Sequence, residues 1–326
     1  MPRRIMPRSP RSLSGALAAT CVALAACADG ATAPQTSPGL THEPSAARQP
    51  RTVPTVHIVY LVPADRTVSR TYVRALEATA INLQAWYQEQ LGGSETYRLT
   101  KPVVEVIQTT HDAEWYATNE TEGDPVLQYW DNTLADAFLL TGGGFNQDGD
   151  LWVYYLDAAQ ACGQVTGATS GVAVMPRNEL IGLAGETTTD SCTGERFVWG
   201  SCFWVGVLGH ELGHALGLPH PASCEAQSPD CPYFTLMWRG FERYPDTWLL
   251  PSDLEALADS PFLIPTRLRG RIPSCADIAP TAMTLASASS GDAAPNVKAA
   301  IARVAGAPTR ACAFGRFATL PVLAGQ

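Results

Sequence analysis

Apolar and polar positions fall into a few distinct patterns along the chain. Val53 to Val62 (V-P-T-V-H-I-V-Y-L-V) is dense in β-branched side chains and predicts a first strand. From Thr67 to Leu91 the apolar positions Val68, Tyr72, Leu76, Ile81, Leu83 and Trp86 predict a helix, which Gly92-Gly93 ends. Val103 to Ile107 predicts a second strand. Asp124-Pro125 pairs a capping residue with a proline at the first turn, so a helix should run to about Leu140 and stop at Gly142-Gly143-Gly144. Leu151 to Leu156 (L-W-V-Y-Y-L) and Gly171 to Met175 (G-V-A-V-M) read as strands. Val198 to Leu216 predicts another helix, followed by loops to Arg243 and a short helix starting at Ser252 or Asp253 after Pro251. The strand, helix, strand opening implies an α/β fold with a twisted, mostly parallel sheet and helices packed on it.

The flanks carry different patterns. Four arginines precede an Ala- and Leu-rich run from Leu13 to Ala26, the length of a signal-peptide core and too short to span a bilayer. The run ends in Leu24-Ala25-Ala26-Cys27, which resembles the bacterial lipoprotein box, where the cysteine becomes the lipidated first residue. The rival reading is ordinary cleavage after Ala26-Cys27-Ala28, which also has the small-x-small form. Residues 27–52 are rich in Pro, Ser, Thr and Ala and read as a flexible tether. The expected organisation is a signal peptide over 1–26, the tether over 27–52, a catalytic domain over 53–264 and a C-terminal extension over 265–326. That extension is either disulfide-stapled or partly disordered. The chain is expected to be exported and held in a bacterial envelope as a lipoprotein, facing the periplasm or the cell surface; soluble secretion is the alternative.

Composition narrows the class. Of 326 residues, 46% are apolar and 16% charged, a globular balance, and the formal charge is −9. The first 26 residues hold Arg3, Arg4, Arg8 and Arg11 and no acid, so the remainder is more acidic still. An acidic surface argues against nucleic acid as a partner, and leaves the N-terminal lipid as the expected membrane contact. A monomer is expected. Export permits disulfides. Cys21 would be removed with the signal and Cys27 lipidated, which leaves an odd number of cysteines. Cys224 and Cys231 close a short loop and are expected to pair. Cys275 with Cys312 is a looser expectation, and the partners of Cys162, Cys192 and Cys202 stay open.

The chemistry concentrates in His210-Glu211-Leu212-Gly213-His214-Ala215-Leu216-Gly217-Leu218-Pro219-His220. On a helix, residues four apart lie about 40° apart around the axis, so His210 and His214 aim at one point. Gly217 permits the left-handed conformation that ends a helix and turns the chain back, bringing His220 in as a third ligand. Three nitrogen ligands leave the fourth zinc position to water, the pattern of a catalytic site holding one Zn2+. Glu211 is surplus to ligation and suits a general base that takes a proton from zinc-activated water and passes it to the leaving amine. Chance alone yields three His, a Glu and a Gly at this spacing on the order of 10⁻⁵ times, which sets aside a helix with three merely structural histidines. Gly206, Gly209 and Gly213 form a stripe on the same helix where another element can approach closely.

The string resembles the extended zinc signature of the metzincin clan, H-E-x-x-H-x-x-G-x-x-H, at every fixed position. That resemblance covers about residues 198 to 240. It implies a zincin domain with an antiparallel edge strand in the sheet, packed on two long helices including the zinc-binding one. It also implies a methionine turn beneath the metal, for which Met237 in Thr235-Leu236-Met237-Trp238-Arg239-Gly240 is suitably placed. Pro221 after the third histidine is shared with serralysins. Those proteins, however, carry tyrosine two residues after the methionine, where this chain has Arg239, and calcium-binding repeats that it lacks. No family within the clan is assigned, and a matrixin-like pro-domain cysteine has no counterpart before the domain.

The function expected is zinc-dependent endopeptidase activity on a protein or peptide substrate. The alternatives are a non-catalytic, zinc-stabilised binding lipoprotein, against which Glu211 argues, and a zinc hydrolase of a non-protein amide. Asn146-Gln147-Asp148-Gly149-Asp150 has the alternating oxygens of a calcium loop, with Asp148 and Asp150 as ligands if Ca2+ binds. It lacks the distal Glu, where Ala158 falls, and a solvated turn is favoured. Gly171 to Met175 is either the cleft-edge strand that pairs with substrate or an ordinary internal strand. His57 and His111 read as structural or surface groups, and Asp112 and Glu114 lack the spacing of an acid–base dyad.

Overall fold

The computed structural model describes residues 53–279. The signal, tether and Cys27, and the part of the C-terminal extension that holds Cys312, lie outside the described residues.

Strand β1 (Thr55–Val62) alternates its side chains between two cores. Val56, Ile58, Tyr60 and Val62 face one, Val59 and Leu61 the other. Helix α1 (Arg70–Gln90) starts at Ser69, whose hydroxyl accepts from the Tyr72 amide, and gives way to Gly92 and Gly93 at φ of 81° and 88°. The short β2 (Glu95–Thr96) is followed by β3 (Leu99–Gln108), a one-turn α2 (Trp115–Thr118) and α3 (Gln128–Thr141). Asp124 caps the 3-10 turn that leads into α3, and Gly142 closes that helix in the left-handed conformation at φ 73°. Then come β4 (Asp150–Leu156), β5 (Gly167–Thr169), β6 (Val172–Met175), α4 (Arg177–Leu183) and a hairpin of β7 (Thr188–Thr189) and β8 (Arg196–Phe197). Helix α5 (Ser201–Ala215) precedes α6 (Ala222–Glu225), α7 (Pro251–Leu257) and β9 (Ile264–Pro265), which pairs antiparallel with β2.

The main sheet has the order β3-β1-β4-β6-β5. Its first four strands run parallel and β5 runs antiparallel to β6. The fold is therefore α/β with a mostly parallel sheet and one antiparallel edge. Helices α1, α4 and α5 cover one face through the larger core, while α3 covers the other.

One open alternative is decided and one expected pairing is corrected. Val172–Met175 is internal, paired with β4 on one side and β5 on the other, so it is not the edge. The edge is β5, whose three residues are too few to show a period; the tight turn after it, Ser170-Gly171 with φ of 52° and 84°, is what makes the hairpin. Cys275 bonds Cys202 rather than Cys312, because the chain past Pro265 runs back over α1 and the start of α5. There Asn82 donates to the Pro273 carbonyl at 2.8 Å and Ser201 to the Cys275 carbonyl at 2.6 Å. Cys162 bonds Cys192, and Cys224 bonds Cys231.

Candidate metal centre

Helix α5 is buried from Phe203 to Gly213 on every side, which accounts for its apolar sequence. Its glycine stripe is where the chain from Leu236 to Tyr244 lies against it. A β-carbon at Gly206 would meet Phe241 Cα at 2.7 Å, and one at Gly213 would meet Met237 Sδ at 2.3 Å. Met237 is fully buried. Met237, the methionine for which the resemblance implied a turn, thus packs closely against Gly213, in the helix turn that joins His210 to His214.

The helix ends at Gly217, with φ 95°. Leu218 N–H donates to the Gly213 carbonyl at 2.9 Å, closing the turn that returns the chain. His210, His214 and His220 then converge through Nε2. The three Nε2···Nε2 distances are 3.1, 3.0 and 3.2 Å. The other ring nitrogens are committed elsewhere. His210 Nδ1 donates to the Leu236 carbonyl at 2.7 Å, and His214 Nδ1 to the Leu218 carbonyl at 2.7 Å. A carbonyl only accepts, so in both rings the proton sits on Nδ1 and Nε2 presents a lone pair. His220 Nδ1 faces Glu225 Oε1 at 3.5 Å.

Electrostatics point the same way. Burial, aided by the neighbouring His214, holds His210 well below the usual imidazole range. Burial brings His214 down to about 4, and lowers His220 against the opposing pull of Glu225. Neutral imidazoles are what a metal requires. Lone pairs about 3 Å apart repel one another unless a cation lies among them. The residues fit zinc in particular, since tetrahedral ligands on bonds of about 2.0 Å sit about 3.3 Å apart. Among the described residues, these three histidines are the one group of three or more His, Cys, Asp and Glu side chains close enough to share an ion. Glu211 follows His210 on the helix and is buried, which pushes its carboxyl up to about 8.

The remaining sequence candidates sit elsewhere. Asp148 and Asp150 join no such group; Asp150 instead takes His57 Nε2 at 2.9 Å, opposite Glu105, which takes Nδ1 at 2.8 Å. His57 also stacks on Trp152 with ring centroids 3.9 Å apart. His111 stacks on Trp115 and pairs with Asp136 at 3.0 Å, while Asp112 accepts from the Trp115 amide. Arg239, at the place of the serralysin tyrosine, is paired with Glu242 and lies over the Tyr233 ring.

Two groups near the site escaped the sequence reading. Trp238 packs edge-on against His220 with centroids 5.2 Å apart, and its position directly after Met237 was the available signal. Glu179 on α4 is buried, its Oε2 has no hydrogen-bond partner, and burial together with the Glu211 charge pushes its carboxyl far up. Nothing in the one-dimensional pattern places α4 behind α5.

No protein-family model matches the chain, and no curated protein matches it. Solved structures do. Catalytic inactive OgpA from Akkermansia muciniphila, in complex with an O-glycopeptide (glycodrosocin) substrate, is similar over 65% of this chain at 18% identity and a TM-score of 0.43. The chain spans only 61% of that protein's length. Metalloproteinase-II from Bacteroides fragilis is similar over 65% of this chain and 55% of its own, at 12% identity and a TM-score of 0.32. A zinc-dependent peptidase from Methanocorpusculum labreanum is similar over 61% of this chain and 99% of its own, at 12% identity and a TM-score of 0.28. At such scores none of these likenesses bears on which residues act or on what substrate.

Proposed function

We propose that the chain is a zinc-dependent endopeptidase of metzincin type, with His210, His214 and His220 as ligands and Glu211 as general base. The observation that carries this is the convergence of three Nε2 atoms within 3.2 Å while two of the rings spend their protons on backbone carbonyls. A zinc ion held there would supply a Lewis acid that polarises a peptide carbonyl and acidifies water. The chain's residues do the rest. The Leu236 and Leu218 carbonyls fix the His210 and His214 rings, and buried Glu211 takes the proton of the attacking water and delivers it to the departing amide nitrogen. Among the described residues, β5 is hydrogen-bonded in the sheet on one side, to β6, so its outer edge suits pairing with an extended peptide.

Among the described residues the group of potential ligands ends at three, which supports an open catalytic coordination shell over a closed structural one. Three disulfides among the described residues support the exported location, in the envelope or secreted. The test is bound zinc by elemental analysis, together with cleavage of casein and a peptide library with and without a chelator. Chelator-sensitive, zinc-restored cleavage is the expected result. Stoichiometric zinc with no peptide cleavage would favour the binding protein or an amidase of other substrates.

A further inference from the structure

The three histidines are not held alike. His210 and His214 lie on or beside the buried wall of α5, and each ring is pinned by a carbonyl at 2.7 Å. His220 lies beyond the helix, on a loop. Its Nδ1 faces a side chain, Glu225, with Oε1 at 3.5 Å. A histidine that ligates through Nε2 gains basicity and a fixed orientation when a carboxylate stands at Nδ1. Losing such a partner lowers metal affinity by about 10–100-fold.

The loop around Glu225 holds that carboxylate in place. Pro221 follows His220 directly and starts the single turn α6, in which the Cys224 and Glu225 amides both donate to the Pro221 carbonyl, at 2.9 and 3.2 Å. Cys224, next to Glu225, is buried and bonded to Cys231, seven residues on. The disulfide therefore narrows the range of backbone positions open to Glu225, next to Cys224. The Glu225 side chain is itself half exposed, so its contact with His220 carries little desolvation cost. At 3.5 Å the contact is long for a direct hydrogen bond, and either a small rotation or one bridging water completes it.

We infer that Glu225, held in register by the Cys224–Cys231 disulfide, is the positioning residue of the third metal ligand. The inference rests on the zinc reading above and adds a residue and a covalent clamp to it. Glu225 touches no substrate; it acts through His220.

The test uses the folded chain and zinc alone as the probe, with affinity measured by competition against a chromophoric chelator. Glu225→Ala should weaken zinc binding by about 10–100-fold. Glu225→Gln keeps an oxygen acceptor without the charge, so it should recover part of that loss. Cys224→Ser with Cys231→Ser should weaken binding in the same direction while Glu225 is still present. Asp230→Asn removes an exposed acid from the same disulfide loop and should stay within about twofold of wild type, because a rim charge is screened. Thermal unfolding in chelator should be unchanged for the Glu225 and Asp230 variants. Equal zinc affinity in Glu225→Ala and wild type overturns this inference alone, as does an Asp230→Asn loss of the same size. A wild type that takes up no zinc overturns the metal reading, and this inference with it.

Discussion

Replacing Gly206 with alanine sets two effects of opposite sign against each other. In a helix interior alanine is favoured over glycine by roughly 0.5–1 kcal/mol, so an exposed substitution would stabilise. At Gly206 the added β-carbon would lie 2.7 Å from Phe241 Cα, 2.8 Å from Tyr244 Cβ and 3.0 Å from the Phe241 carbonyl oxygen. Ordinary contact begins near 3.4 Å, so the segment must retreat by about 0.6–0.7 Å. Two of the three atoms belong to backbone, which cannot rotate aside. Overpacking of this kind costs about 1–3 kcal/mol, so the net should be a loss of about 1–2 kcal/mol. For a domain of this size that lowers Tm by roughly 2–8 °C. The same segment leads back to Leu236, whose carbonyl pins His210, so zinc affinity should fall as well. Thermal unfolding of wild type and variant, both in chelator, isolates the packing effect from metal linkage. A Gly206→Ala protein that melts at or above the wild-type temperature would show that helix propensity wins and that the close approach is wrong.

Two further outcomes are expected. Replacing Cys202 and Cys275 with alanine opens a loop of 73 residues, and the chain-entropy argument gives a loss of roughly 4 kcal/mol, read as a lowered urea midpoint; an unchanged midpoint refutes it. Glu179 is buried with its folded pKa raised, so the folded state binds its proton more tightly than the unfolded chain does. Stability from this group is present below its ordinary pKa of 4.5 and is lost as pH rises toward the raised value. Glu179→Gln should therefore gain stability over wild type at pH 8 and converge with it near pH 4.5, in paired urea titrations. Equal slopes with pH would contradict the burial of that carboxyl.

Much of the site was legible because its signals are local. The i, i+4 spacing of His210 and His214 and the glycine at 217 each act within one or two helix turns, so sequence distance is close to spatial distance. The long elements were legible for the same reason: α1 and α3 carry a helical period and end at glycines. What was missed is set by tertiary placement. Strand β5 has three residues and no period of its own; it exists because a Ser170-Gly171 turn folds it onto β6. The Cys202–Cys275 pair joins chain segments that meet only after the C-terminal stretch crosses α1 and α5. Asp150 satisfies the spacing of a calcium loop but is claimed by His57, a partner from a neighbouring strand. Glu225 carries no motif, and only the returning loop brings it to His220.

In the proposed mechanism, one zinc ion on His210, His214 and His220 works with Glu211 as the proton carrier. Glu211→Gln tests it most directly, with zinc content and peptide turnover measured on the same sample. One zinc per chain is expected, as in wild type, with turnover lowered by about 10²–10⁴-fold. Full turnover in that variant, or loss of the metal together with the activity, would contradict it.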